Sequence, residues 1–419
     1  MPDKKKAVVP RLRFPEFRDA GPWEVKRLGE VLTEHKLKSS GREEVFSVSI
    51  HKGLINQIEH LGRSFAAAST AHYNRVLPGD IVYTKSPTGD FPFGIVKQNK
   101  TGRSVIVSPL YGVFSPVNFA LGVLIDAFFE SPQRTKAFLE PLVQKGAKNT
   151  INIKNDRFLS GTMVLPSIEG EQQKIADCLS SLDDLIEAEE AQLTALREHK
   201  KGLLQQLFPR EGETTPRLRF PEFRDAGPWE VKRLGEVLTE HKLKSSGREE
   251  VFSVSIHKGL INQIEHLGRS FAAASTAHYN RVLPGDIVYT KSPTGDFPFG
   301  IVKQNKTGRS VIVSPLYGVF SPVNFALGVL IDAFFESPQR TKAFLEPLVQ
   351  KGAKNTINIK NDRFLSGTMV LPSIEGEQQK VADCLSSLDK LIELQAQRLD
   401  ALKAHKKGLL QQLFPQEAA

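Results

Sequence analysis

The sequence predicts two mixed α/β globular domains joined by two long helices that form an antiparallel coiled coil. Three observations lead to this prediction. Residues 10–174 recur without a single change as residues 216–380, at an offset of 206 residues. The stretch after each copy, 175–209 and 381–415, is similar but carries ten differences. Both stretches repeat apolar residues at the heptad spacing of coiled coils. A period near 200 residues is too long for a solenoid and indicates duplication of a whole domain.

The repeat sets the predicted domain boundaries. The first globular domain spans 1–170 and its helix 171–209, a linker covers 210–215, and the second domain and helix span 216–376 and 377–415. Inside each domain, apolar alternation predicts strands, in the first copy at 46–50, 81–83, 91–96 and 104–114. One helix is predicted over 118–130. A second should begin at Ser131-Pro132, a cap followed by proline, and end at Gly146.

The diverged stretches carry the coiled-coil signal. In the first copy, positions 175, 179, 182, 186, 189, 193, 196, 200, 203 and 207 follow a strict 4-3 spacing, and eight of the ten are apolar; the second copy repeats this pattern. The helix predicted over 171–209 would be about 55 Å long, whereas the six-residue linker over 210–215 reaches about 20 Å. Antiparallel pairing therefore needs the least additional chain. The alternative is that each helix lies as an amphipathic helix on its own domain.

Composition limits the class of protein. The chain has 419 residues, a formal net charge of +9 and a pI of about 9.3, which favours a polyanionic partner without specifying one. The N-terminus lacks the apolar stretch of a secretory signal. The longest apolar run, Phe119 to Ile125, is too short to cross a bilayer. The two cysteines suit a reducing compartment, so we predict a cytoplasmic protein with no membrane contact.

Motifs for catalysis are missing from the sequence. There is no P-loop, and no glycine-rich loop follows a predicted strand. The string Ser108 to Tyr111 resembles an adenine-methyltransferase motif, but its first residue is wrong for holding a flipped base. Asp80 with Lys85 lacks the second acidic residue of a nuclease site, and the histidines have no metal-ligand spacing. We therefore expect no catalytic residue, bound metal or cofactor in this chain.

Basic and amide residues on predicted loops are the candidate DNA contacts. Lysine and arginine can bind phosphates or guanine edges, and asparagine can bind adenine. The alternative for each residue is a solvated side chain without a ligand. The candidates are Lys52, Arg63, Lys85, Ser86, Thr88, Lys97, Lys148, Asn149 and Asn152 in the first copy, and Lys258, Arg269, Lys291, Ser292, Thr294, Lys303, Lys354, Asn355 and Asn358 in the second.

Three sequence features together carry a family resemblance. Each copy opens with PRLRFPEF followed by GPWEVKRLGEVL, and each domain closes with MVLPSIEGEQQK before ADCLSSLD. Each helix ends with HKKGLLQQLFP. In these features and in its domain–helix–domain–helix order, nearly the whole chain resembles the specificity (S) subunit of type I restriction–modification enzymes. It departs from that family in one respect, because the two recognition domains of S subunits usually differ, whereas here they are identical.

The resemblance implies a non-catalytic DNA-recognition subunit. Two target recognition domains would each bind half of a split site in double-stranded DNA. The helices would set the spacing and dock two methylation subunits, through which restriction subunits join. S-adenosylmethionine, ATP and magnesium would belong to those partners. Identical domains further predict identical half-sites in inverted orientation. Two other hypotheses stay open: a stand-alone DNA-binding regulatory protein, and the specificity portion of a fused restriction–methylation enzyme.

Overall fold

A computed structural model describes residues 8–62, 69–145, 151–264, 275–351 and 357–415. The strands of the first repeat are β1 Glu24–Arg27, β2 Leu32–Glu34, β3 Phe46–Ser49, β4 Gly53–Asn56, β5 Asn74–Val76, β6 Ile81–Tyr83, β7 Val96–Gln98, β8 Val105–Val107, β9 Gly112–Pro116, β10 Gln144–Lys145, β11 Ile151–Asn152 and β12 Thr162–Leu165. Its helices are α1 Leu28–Val31, α2 Gln57–Leu61, α3 Phe119–Phe128, α4 Pro132–Leu139, α5 Asn155–Ser160 and the long α6 Glu169–Leu207.

The second repeat folds in the same way. Its strands are β13 Glu230–Arg233, β14 Leu238–Glu240, β15 Phe252–Ser255, β16 Gly259–Asn262, β17 Asn280–Val282, β18 Ile287–Tyr289, β19 Val302–Gln304, β20 Val311–Val313, β21 Gly318–Pro322, β22 Gln350–Lys351, β23 Ile357–Asn358 and β24 Thr368–Leu371. Its helices are α7 Leu234–Val237, α8 Phe325–Phe334, α9 Pro338–Leu345, α10 Asn361–Ser366 and α11 Glu375–Leu413.

The centre of the first domain is an antiparallel sheet in the order β2-β9-β6-β7. Strand β6 is buried along its whole length because strands flank it and both of its faces are covered: Ile81 and Tyr83 pack in one core cluster and Val82 in another. Ile81 pairs with Phe114 of β9 and with Gln98 of β7. Shorter antiparallel pairs, β3-β4, β5-β8, β1-β12 and β10-β11, surround this sheet. The second domain repeats every one of these pairings.

Aromatic side chains fill the core under this sheet. Tyr83 of β6 stacks on Phe158 of α5 with ring centroids 4.7 Å apart, and Phe114 of β9 lies 5.2 Å from the same ring. All three side chains are fully buried. Such contacts add to the stabilisation from area burial alone. They fix α5 against the end of β6, where the polar loops begin.

The chain divides into two compact units, and each long helix contributes to both. Unit 1 comprises Met1–Glu190 with Gln397–Ala419, and unit 2 comprises Ala191–Ala396. In unit 1, Ile175 and Leu179 of α6 share a core with Leu410 of α11, with Phe414 just after that helix, and with residues of α3. In unit 2, the roles are exchanged: the end of α6 and the start of α11 share the core of the second domain.

Ion pairs along the helices give their direction. In unit 1, Asp183 pairs with Lys406 at 2.5 Å, whereas Glu189, further along α6, pairs with Arg398, which is earlier on α11, at 2.8 Å. Residue numbers thus rise on one helix as they fall on the other. In unit 2, Lys200 pairs with Asp389. The predicted fold class, mixed α/β domains with two long helices in antiparallel pairing, is confirmed.

The heptad positions form the contact seam. All ten predicted positions on α6 and all ten on α11 are buried or half-buried. The polar seam positions, Glu189 and Lys200 on α6 with their equivalents Gln395 and Lys406 on α11, are included in this burial. A second stripe, with Leu204 and its equivalent Leu410, is also buried because it packs on the globular domain. Only the seam and the stripe of each long helix are buried, so the rest of its surface can be polar.

The sequence motifs at the two ends of the domain meet at one carboxylate. Arg13 of the PRLRF string makes a two-pronged ion pair with Glu171 of α6, with both distances 2.7 Å. The indole nitrogen of Trp23 donates to the same carboxylate at 3.1 Å. The side chains of Arg13 and Glu171 are only 6% and 1% exposed. Arg219, Trp229 and Glu377 repeat the arrangement in the second unit.

Two local predictions were wrong. The helix that starts at Ser131 does so with the predicted cap, but it ends at Leu139 because Pro141 has no amide hydrogen for the next helical bond. Gly146, the predicted stop, lies outside the described residues. The strand predicted over 91–96 begins only at Val96. Gly94, with φ +99°, turns the chain before that strand.

Candidate nucleic-acid interface

Polar loops meet at one edge of the central sheet of the first domain. The chain leaves β2 after Glu34 and β6 after Tyr83 at this edge, and it enters β9 there from Tyr111, because neighbouring strands are antiparallel. These loops enclose a polar cleft of about 200 Å³. Its lining residues are Glu34, His35, Lys36, Lys38, Asn74, Lys85, Pro109, Tyr111, Val113 and Asn155.

Lys85 lies in this cleft on a strained backbone. Its φ is +62°, a left-handed conformation that non-glycine residues rarely adopt, and Lys291 repeats it. Gly94 makes this possible: a Cβ at Gly94 would lie 2.8 Å from the Lys85 amide nitrogen. The hydroxyl of Tyr83 donates to the Phe93 carbonyl at 2.8 Å and closes the base of the loop. Strain held by surrounding contacts in this way is typical of functional sites.

Hydrogen bonds and a buried ring restrain the loop beyond Lys85. Thr88 and Phe91 exchange backbone hydrogen bonds of 3.0 Å around Gly89 and Asp90, and the Phe91 ring is buried. Ser86, directly after Lys85, is exposed. These contacts restrain the loop, and a loop restrained before binding loses less conformational entropy when a ligand binds.

A second predicted loop lies beside the first. A Cβ on Gly89 would lie 3.2 Å from Cδ1 of Ile50, in the turn between β3 and β4 that carries Lys52. Lys52 is exposed. The structure thus places the turn that carries Lys52 beside the loop that carries Lys85, Ser86 and Thr88, and the sequence had predicted these as two separate loops.

Hydrogen bonds organise the cleft around Lys85. The Asn155 amide donates to the Glu34 carboxylate at 2.8 Å, and Lys38 donates to the Asn74 side-chain oxygen at 2.7 Å. Burial lowers the pKa of Lys85, and the Glu34 carboxylate partly opposes that shift. A half-buried ammonium group with reduced hydration gains more from an anionic ligand than a fully solvated one does.

His35 is fixed at the back of the cleft. Its Nε2 atom lies 2.7 Å from Oδ2 of Asp80, whose carboxylate also accepts hydrogen bonds from the Ser115 hydroxyl and the Leu77 amide. Both oxygens of the Asp80 carboxylate are therefore engaged in hydrogen bonds that hold the loops together. Among the described residues, no group of three or more His, Cys, Asp or Glu side chains could hold a metal ion.

Lys97 and Lys303 are not on a loop, and that part of the prediction was wrong. Lys97 lies in the middle of β7, is 7% exposed and has its Nζ 3.6 Å from Oδ1 of Asp126 on α3. Although burial alone would raise it, the charges of Lys97 and Lys100 hold the pKa of the Asp126 carboxyl below its usual range. Lys303 faces Asp332 in the same way. Through these ion pairs the lysines connect the helix to the sheet. Lys97 lies in the strand because the turn begins only after Asn99.

The remaining predicted residues are distributed as follows. In the second copy, Lys258 is exposed, Lys291 is half-buried, and Ser292 and Thr294 are exposed, on the same turn and loop. The backbones of Asn152 and Asn358 lie in the short strands β11 and β23. Arg63, Lys148, Asn149, Arg269, Lys354 and Asn355 lie outside the described residues.

Sequence reasoning missed part of the cleft. Lys36, Lys38, Asn74, Tyr111 and Asn155 come from segments far apart in the chain and join Lys85 only through strand pairing. The close spacing of the basic residues Lys36 and Lys38 was the one signal in the sequence that could have found this part of the cleft.

Comparison with known proteins identifies the architecture. No family model matches the sequence. Each domain rests on the start of its own long helix and the end of the other, an arrangement that defines a two-domain protein built on a helix pair. The type I restriction–modification S subunit from M. genitalium has this fold: it aligns with 98% of this chain and 100% of its own length, with a TM-score of 0.60 and 12% identity.

Two further solved structures align more loosely. The HsdS subunit from Thermoanaerobacter tengcongensis has 14% identity and a TM-score of 0.38 and covers 94% of this chain and 96% of its own. A structure concerned with complex assembly and conformational transition of the type I restriction–modification system has 14% identity and a TM-score of 0.44, covering 94% and 98%. The alignment with the M. genitalium S subunit confirms the resemblance to S subunits at the level of the fold. Among the described residues, no helix is apolar over a length that could cross a membrane.

Proposed function

We propose that this chain is the DNA-recognition subunit of a type I restriction–modification complex and performs no catalysis itself. The observation that carries the proposal is the S-subunit fold over nearly the whole chain, combined with a loop on each domain that holds a lysine in a left-handed backbone conformation. Each domain binds one half of a bipartite site in double-stranded DNA. The edge formed by Lys36, Lys52, Lys85 and Ser86 contacts phosphates and base edges.

The two half-sites are the same sequence in inverted orientation. Two facts support this. The domains are identical in sequence from residue 10 to 170 and its repeat. Each domain also contacts the start of its own helix and the end of the other, so the two repeats have equivalent surroundings. Two identical recognition domains in equivalent surroundings recognise the same half-site in inverted orientation, which is an interrupted palindrome.

The long helices set the spacing between the half-sites and dock two methylation subunits, through which restriction subunits join. The methyl donor S-adenosylmethionine, ATP and magnesium belong to those partners. The fold is similar to that of an S subunit from a type I restriction–modification system, which supports this class of partner. The sequence of this chain contains no P-loop and no glycine-rich loop after a strand, which agrees with cofactors held by the partners.

Methylation mapping tests the proposal. DNA is sequenced from cells that express this chain with a methylation subunit of its system, with cells lacking this chain as the control. An interrupted palindrome methylated on both strands is the expected result. An asymmetric motif would refute the inverted half-sites while leaving the recognition role. An active methylation subunit without any motif would refute the role and favour a stand-alone DNA-binding regulator.

A further inference from the structure

The two repeats differ in the middle of the long helices, mostly at exposed positions and, at Glu189 and its equivalent Gln395, in the buried seam. Nine of the ten differences between the helices fall within 184–198 and the equivalent 390–404, here called the central segments. The ion-paired positions that flank these segments are unchanged. Asp183 has its equivalent in Asp389, and Lys200 in Lys406, and all four form ion pairs. The divergence therefore lies away from the helix ends that seat the domains, and it includes one buried seam position, Glu189.

The central segments differ in charge. Segment 184–198 contains five acidic residues and one basic residue, whereas 390–404 contains two acidic and three basic residues. Opposite charge beside an apolar seam is the feature by which coiled coils select partners. Pairing one segment of each kind brings unlike charges together, and pairing two acidic segments brings like charges together.

The contacts in unit 1 follow this charge difference. Oε1 of Glu189 lies 2.8 Å from Nη2 of Arg398, and Oε1 of Glu190 lies 2.5 Å from Nζ of Lys403. The second pair is half exposed and contributes little. The Glu189 side chain, however, is only 6% exposed because it lies in the seam. A carboxylate this buried requires its basic partner.

We propose that the central segments select the helix partner: they hold α6 on α11 and exclude pairing of α6 with the α6 of a second copy. The deciding contact is Glu189 with Arg398. In a pair of two α6 helices, Gln192 takes the place of Arg398, and two seam carboxylates are left without a base. In a pair of two α11 helices, Gln395 and Ala396 take the places of Glu189 and Glu190, and neither can form an ion pair.

Such selection matters because the rest of the repeat cannot provide it. The domain surfaces that contact the helices are identical in both copies, so they accept either helix equally. Without a difference in the central segments, a helix of one chain could pair with the same helix of a second chain. The resulting assembly would carry additional recognition domains. The central segments thus favour a defined pair of domains.

Three variants of the full chain test the proposal. The acidic-matched chain carries the 184–198 sequence in both helices, and the basic-matched chain carries the 390–404 sequence in both. The exchanged chain carries each segment in the other helix and has the composition of the natural chain. We expect the exchanged chain to keep the natural molar mass by light scattering and the natural thermal midpoint. Both matched chains should melt earlier.

Mixing gives the direct measurement of selection. Equimolar acidic-matched and basic-matched chains with different tags should form a mixed species, in at least about tenfold excess over either self-associated species by native mass spectrometry. Two differently tagged natural chains provide the control and should stay separate. The proposal would be overturned if both matched chains melted at the temperature of the natural chain and formed no mixed species.

Single substitutions test the proposal even if the matched chains fail to fold. Glu189→Arg and Arg398→Glu each place like charges at the seam, and the double variant restores an opposite pair in reverse. Each single variant should lower the thermal midpoint, and the double variant should recover most of that decrease. Additive decreases in the double variant would also overturn the proposal, because they would show that the two side chains are not coupled.

Discussion

Replacing Gly94 by alanine should dislodge the loop that carries Lys85. The backbone at Gly94 has φ +99°, and an added Cβ would lie 2.8 Å and 2.9 Å from the amide nitrogen and Cα of Lys85. Both neighbours are backbone atoms, so neither can rotate away. Lys85 is itself held at a φ of +62°. The substitution therefore combines an unfavourable backbone conformation with a steric clash at the base of the candidate interface.

The two contributions can be separated with a matched glycine. Gly102 also has a positive φ, +72°, but an added Cβ there would meet no atom within 4 Å. Gly102→Ala should cost about 1 kcal/mol for the left-handed conformation alone. Gly94→Ala should cost that amount and about 2 kcal/mol more for overpacking against the backbone. The corresponding falls in thermal midpoint are about 3 °C and about 9 °C for a unit of this size.

Calorimetry of the full chain is the assay, and the second repeat is its internal reference. Unit 2 keeps Gly300, so the Gly94→Ala chain should show one transition near the natural temperature and one displaced below it. The exposed tip, measured by proteolysis between Lys85 and Asp90, should become more susceptible in the first domain alone. Equal effects of Gly94→Ala and Gly102→Ala would refute the reasoning, because the close approach of Lys85 would then carry no energetic weight.

Three further predictions concern other parts of the molecule. Glu171→Gln leaves the buried Arg13 guanidinium without its charge partner, and denaturant unfolding should show a decrease in stability of about 3 kcal/mol, whereas the same change at exposed Glu24 should leave stability nearly unaltered. Lys85→Gln with Lys291→Gln should weaken DNA binding and reduce the slope of log affinity against log salt by about 1 for each phosphate that is no longer bound. An unchanged slope would show that neither lysine contacts a DNA phosphate. Inserting one heptad into both α6 and α11 should alter the methylated spacer and leave both half-sites as they were, and altered half-sites would contradict the division between reading domains and spacing helices.

Local rules and the repeat predicted most of the architecture. The 4-3 spacing identified the seam, and every seam position is buried or half-buried. The Ser131-Pro132 start is capped as expected, with the Ser131 hydroxyl accepting from the Arg134 amide. The short connector between repeats was sufficient to predict antiparallel helices. These features depend on residues close in sequence or on chain length, which a sequence states directly.

The cleft could be predicted only in part. Lys85 and Ser86 lie on a loop that turn residues mark clearly, whereas Asn74 and Asn155 reach the same cleft from distant strands and helices. Lys97 shows the opposite error. It looked like a loop lysine because Lys100 and Arg103 follow it, but alternation in β7 turns it towards Asp126 on α3. A buried ion pair between elements leaves no local pattern in the sequence.

The distribution of change between the repeats follows from where each part of the helix makes its contacts. The domain needs the start of one helix, with Glu171 beneath Trp23, and the end of another, with Phe414 against the same indole ring at 6.4 Å between centroids. Both contact sets are the same in the two repeats, since Glu377 and Phe208 meet Trp229 alike. A domain copied into the second position therefore finds the partners it had in the first. Because those partners cannot differ without unseating a domain, the central segments are the part of the helix free to acquire the charge difference that tells α6 from α11.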